Sequence, residues 1–177
     1  MLSKDRTDRI IIAYRNKEIV EAVRYYIFAK ANTFEYQSFF HVEIRSNEFS
    51  PLGQILDTIN SNKDDIYSFD FKDELLVKDI DAIDKIRDVL LSYQMIWWIP
   101  LDNLKKYLPR WTQLRQLFQI FIIEDELLAS INQNEIEEDL KYYSKLKTSS
   151  KNNFSEMLNN LEKVLLWLKK SKESTNG

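Results

Sequence analysis

The 177-residue chain contains no cysteine, which excludes a disulfide framework, thiol catalysis and zinc–thiolate sites. Glycine is almost as scarce, with only Gly53 and Gly177. Loops that cradle phosphate need glycine so that the backbone can turn tightly and approach the anion. Neither a Walker-type loop nor a dinucleotide-binding fingerprint can be written around one internal glycine, and the nucleophile elbow of the hydrolases falls by the same count. No stretch reaches the roughly 20 apolar residues that span a bilayer. The polar start, residues 1–6, lacks the apolar segment of a secretory signal. A cytoplasmic setting without a membrane partner is the expectation.

What is present suits a buried core. Apolar residues make up 44% of the chain and aromatics 13%, while the 30% of charged residues argues against both a membrane protein and a disordered one. The net charge of −3 is too mild to mark a nucleic-acid binder, but the charge is unevenly spread. Residues 124–139 hold seven acids and no base, and residues 141–172 hold eight lysines against two glutamates, a pattern that solvated helix faces explain.

Short apolar runs alternate with helical stretches. RIIIAY from Arg9, FFHVEI from Phe39, IYSFDF from Ile66, MIWWI from Met95 and QIFII from Gln119 read as five strands. Between them Ile19, Val20, Val23 and Ile27 fall at helical spacing. Ser50-Pro51 places a cap before proline at the first helical position, opening a helix through Leu52, Ile55, Leu56 and Ile59. Ile80, Ile83, Ile86, Leu90 and Leu91 predict one further helix, and Asp102 a capped one that Pro109 interrupts. Strand and helix alternating five times imply a parallel sheet with helices on both faces. The expected fold is a flavodoxin- or receiver-like three-layer α/β sandwich, strand order 2-1-3-4-5, over residues 1–125. Residues 126–177 follow as a C-terminal helical hairpin, with capping-box spacing at Asn134/Glu137 and Asn153/Glu156.

The strings IIIAYRNKEIVEAVRYYI, QILDTINSNKDDIYSFDF and IDAIDKIRDVLLSYQMIWWIPLD resemble the receiver domain of bacterial response regulators over residues 9–125. The resemblance puts Asp70 at the phospho-acceptor position. It also shows what is missing. Tyr14 and Arg15 stand where the family has the acidic pair that holds Mg²⁺. Pro100 stands at the Ser/Thr position after strand four, and the lysine after strand five falls near Ile123 or Glu124. The resemblance therefore implies a degenerate receiver that is not phosphorylated.

Candidate chemistry is thin. His41, the only histidine, sits mid-strand and reads as structural rather than as an acid–base group. Asp70, Asp73, Glu124, Asp125 and Glu126 gather near predicted strand carboxyl ends, where open α/β sheets bind ligands. Asp70, Glu124 and Asp125 are the candidate metal carboxylates among them. FIIEDE resembles a Walker B strand without its Walker A partner. RIIIAYRNKE and SPLGQILDTIN leave a Toll/interleukin-receptor-type reading open; the resemblance implies, for nucleotide cleavage, a glutamate in the helix after strand three, and only Glu74 lies nearby, without the accompanying tryptophan.

The reading taken forward is a non-catalytic regulatory or adaptor module, without cofactor, that binds another protein or itself. Its interaction residues are Tyr107, Arg110 and Trp111, together with Leu161, Leu165, Trp167 and Leu168 on the apolar stripe of the last helix. Two alternatives are a Mg²⁺-dependent phosphotransfer or hydrolase domain on the strand-end carboxylates and a nucleic-acid-binding regulator. The last helix carries lysine but no arginine, the main base-reading residue, which counts against the second.

Overall fold

The β-branched runs form strands because a branched Cβ packs well on a pleated surface and restricts the helical rotamers. In the computed structural model, which describes residues 9–15, 17–31, 38–46, 50–59 and 63–123, all five expected strands are present. They are β1 (Arg9–Tyr14), β2 (Phe39–Glu43), β3 (Ile66–Asp70), β4 (Gln94–Pro100) and β5 (Gln119–Ile123). The helices are α1 (Lys17–Ala31), α2 (Pro51–Thr58), α3 (Val77–Asp84), α4 (Arg87–Leu90) and α5 (Leu101–Tyr107). The sheet is all-parallel and flanked by helices, the α/β arrangement that the alternation implies. The helical hairpin expected over residues 126–177 lies outside the described residues.

The strand order is β2-β3-β4-β1-β5, not the expected 2-1-3-4-5. Both orders put β2 and β5 at the edges, and the burial agrees with that. β1 and β3 are buried along their whole length, whereas β2 alternates between half-buried and exposed positions and β5 leaves Ile122 exposed. Burial thus separates edge strands from central ones. Apolar patterning cannot rank the three central strands, because a parallel strand covered on both faces is apolar whichever neighbours it has.

The chain divides into two compact units. The first holds residues 1–15 and 37–122, and the second residues 16–36 and 123–177. The core of the first unit is aromatic and centres on Trp97 of β4. Its ring meets Phe118, Phe71 and Trp111 at centroid distances of 4.6, 5.0 and 5.7 Å. Ile11 and Ala13 of β1, Tyr67 and Phe69 of β3, Ile55 of α2, Ile80 and Ile83 of α3 and Leu104 of α5 complete the same cluster. In the second unit α1 buries Val20, Val23 and Ile27, three of the four residues whose spacing predicts it.

Local capping explains most boundaries. Ser50 Oγ accepts from Gly53 N at 2.9 Å, with Pro51 at the first helical position of α2, as its sequence requires. The single helix expected from Ile80 to Leu91 is broken. Lys85 N and Ile86 N bond back three residues to Ala82 O and Ile83 O, which tightens the last turn of α3 before α4 begins. Asp102 is not a cap: α5 starts at Leu101, and Asp102 sits in its first turn. Pro109 follows the end of α5, as expected.

Candidate functional site

Ligands of open parallel sheets bind outside the strand carboxyl ends, where successive connections leave in opposite directions. Here that point lies between β1 and β4. From β1 the chain continues to β2 at one edge, and from β4 to β5 at the other. The residues at the two strand ends are Tyr14 and Arg15, and Pro100 to Asp102. Arg15 Nη2 lies 3.6 Å from Asp102 Oδ1, so an ion pair spans this end of the sheet.

The neighbouring strand ends carry more charge. Glu43 pairs in register with Asp70, and Ile44 N donates to Asp70 O at 2.8 Å. A cleft of about 330 Å³ opens here, lined by Glu43, Ile44, Arg45, Lys72 and Asp73. Lys72 Nζ reaches Glu43 Oε1 at 2.7 Å and Arg45 Nη2 reaches Oε2 at 3.3 Å. The hydrogen bond and charge of Lys72, with Arg45 adding less, hold the Glu43 carboxyl below the usual glutamate range. Ser46 donates to Asp73 Oδ2 through its backbone N at 3.3 Å and its hydroxyl at 3.4 Å. One residue further on, Lys106 Nζ reaches Glu74 Oε1 at 2.6 Å and Leu75 N donates to the Tyr107 hydroxyl at 2.8 Å. The connection between β3 and α3 is therefore tied by its side chains to the segment after β2 and to α5.

That connection ends in two exposed apolar residues. Leu76 is 57% and Val77 54% exposed; with Ile122 at 55% they are the most exposed large apolar side chains among the described residues. Leu76 is also the N-cap of α3, with an extended backbone (φ −69°, ψ 152°) and no side-chain capping bond. Ser, Thr, Asp or Asn there would satisfy a helix amide, worth about 1 kcal/mol over an apolar residue.

The sequence-predicted residues divide sharply. Tyr107 and Trp111 are core residues with no exposed surface, because each aromatic ring fills the α3–α5 interior and uses its polar atom internally. The Tyr107 hydroxyl accepts from Leu75 N, and Trp111 Nε1 donates to Ile80 O at 2.9 Å. Burial, followed by the charges of Glu74 and Asp73 against the lowering bond from Leu75, pushes the Tyr107 hydroxyl above its ordinary value. Only Arg110 of that face is at the surface, where Nη1 lies 3.1 Å from each carboxylate oxygen of Asp81. Leu161, Leu165, Trp167 and Leu168 lie outside the described residues, as do Glu124 and Asp125. Asp70 is fully buried. Among the described residues no three His, Asp or Glu side chains are grouped to hold a metal ion.

On the opposite face of the sheet from the Trp97 core, Trp98 Nε1 donates to Ser68 Oγ at 2.8 Å and His41 Nδ1 lies 2.9 Å from the same oxygen. Ser68 is fully buried. The pair has serine–histidine geometry, but the Ser68 hydroxyl has no exposed surface in this structure.

Leu76, Val77, Glu43, Arg45 and Lys72 were not singled out from the sequence. Leu76 and Val77 did leave a signal: three apolar residues in a row, Leu75 to Val77, precede the Ile80/Ile83 stripe. Leu76 precedes the first helical residue, so helical spacing cannot carry it onto that stripe.

No family model, no curated protein and no solved structure matches this chain. Among the described residues, no helix is long and apolar enough to cross a membrane.

Proposed function

We propose that this chain is a non-catalytic regulatory or adaptor module that binds another protein through the connection from β3 to α3. The observation that supports this reading is the position of Leu76 and Val77. Two adjacent, half-exposed apolar side chains end a connection whose preceding residues carry charged pairs, Lys72 with Glu43 and Glu74 with Lys106. Protein interfaces combine an apolar centre with a polar rim. Leu76 breaks two local rules at once, leaving apolar surface in water and α3 without a side-chain cap. Residues that break local rules without a structural return concentrate at functional positions.

The connection is held in place by Tyr107, Lys106 and Ser46, so little ordering remains to be done on binding. Asp70, the phospho-acceptor position in the receiver resemblance, has no exposed surface, which favours a module that works without phosphorylation. The test is binding by Leu76→Asp. Aspartate suits the cap position, so this variant keeps the fold while replacing the apolar centre with a charge. Loss of the partner with the fold intact is the expected result.

A further inference from the structure

We propose that the cleft between the carboxyl ends of β2 and β3 is a seat for a phosphate group, and that Glu43 occupies this seat in the unliganded chain. Arg45 and Lys72 approach the Glu43 carboxylate from two sides, and each of its oxygens has its own cation. A guanidinium and an ammonium converging on two oxygens of one anion are also the donors that a phosphate takes.

Both cations stand on fixed backbone. Arg45 N donates to Gln54 Oε1 at 2.9 Å and Arg45 O accepts from Gln54 Nε2, and Gln54 is itself buried on α2. Lys72 is the second residue after β3, next to Phe71, whose N donates to Trp98 O at 2.9 Å. Asp73, the remaining charge, is turned toward Ser46.

The cleft's own charges cancel, Arg45 and Lys72 against Glu43 and Asp73. An incoming anion therefore replaces Glu43 rather than adding to it, and Glu43, exposed along the edge strand, is released into water. A dianion has an advantage in that exchange that another single carboxylate lacks. Glu43 is a full carboxylate at neutral pH, so an incoming anion must displace a charged competitor that holds both cations. The volume, about 330 Å³, lies within the range of roughly 300–1,000 Å³ common for small-molecule sites and exceeds the need of a bare ion. A free phosphate and a small phosphate ester share this chemistry, and the test separates the two.

The full chain is titrated with inorganic phosphate and with phenyl phosphate at constant ionic strength, against a sodium chloride control, while the backbone amides are followed by NMR. Saturable shifts at Ile44, Arg45, Ser46, Lys72 and Asp73 are expected. Binding should tighten about tenfold in Glu43→Gln, from removal of two exposed charge pairs. Glu43→Ala should move the same way, and adding Arg45→Met to Glu43→Gln should abolish the gain. Tighter binding of phenyl phosphate than of phosphate assigns the seat to an ester, and equal binding assigns it to the free ion. The proposal is overturned if neither Glu43 variant binds more tightly than wild type. Shifts scattered over lysines without saturation also overturn it.

Discussion

Replacing Trp111 with alanine separates a core residue from a partner-binding one. The ring is fully buried, meets Trp97 edge-on at 5.7 Å and Tyr107 at a tilt at 5.2 Å, and its indole N–H is bonded to Ile80 O. Truncating such an aromatic costs about 3–5 kcal/mol, from lost transfer energy and the cavity left behind. A domain of this size has roughly 5–15 kcal/mol in all, so Trp111→Ala should lose a fifth or more of its stability. Trp111→Phe keeps most of the volume and gives up the hydrogen bond, for about 1 kcal/mol. Arg110→Ala, which removes an exposed pair with Asp81, should cost less than about 1 kcal/mol. Urea unfolding followed by far-UV circular dichroism reads all three on one scale. A Trp111→Ala midpoint equal to that of wild type would refute the packing account and return Trp111 to the surface.

Tyr107 is held neutral by burial, so its hydroxyl should ionise above its ordinary value of 10.0 in the folded chain. Its contribution is fully present below pH 10 and is lost as pH rises from the unfolded toward the folded value, which unfolding at pH 9, 10 and 11 in wild type and Tyr107→Phe would show as a difference that shrinks with pH. Ser68→Ala removes the buried acceptor of the Trp98 indole and should cost about 1–3 kcal/mol. A neutral result would deny that the His41–Ser68–Trp98 chain stabilises this face. Leu76→Asp should raise stability by about 0.5–1 kcal/mol by capping α3, and a loss of that size would show that the leucine packs in the free chain.

The legible part of the fold was the part set by local chemistry. Alternating apolar runs located every strand, and Ser50-Pro51 located α2 to the residue. The rest depends on distant groups. Asp84 Oδ1 accepts from Gln113 N at 3.2 Å and Leu114 N at 2.8 Å, capping the 3-10 turn Leu114–Leu117 from across thirty residues of chain. No local pattern announces such a cap. Arg9 lies inside the protein because Leu91 O and Tyr93 O accept from its Nη1, and those acceptors come from the far side of the sequence. For the site, aromatic residue type was a poor guide. Tryptophan and tyrosine are frequent at interfaces, but Tyr107 and Trp111 each find an internal partner for their polar atom, which lets them be buried outright. The exposed Leu76 and Val77 resemble core residues in composition and differ only in position, one before the helix starts and one at its first turn.

The central claim is that Leu76 and Val77 form the apolar centre of a protein-binding surface. Its most direct test compares wild type, Leu76→Asp and Val77→Asp as bait in native extract of the source cells. Sedimentation equilibrium of each protein covers the case in which the partner is a second copy. The account predicts one partner, or one self-association, that wild type shows and both variants lose while unfolding at a urea midpoint no lower than that of wild type. Retention of the same partner at the same affinity by both variants would contradict it.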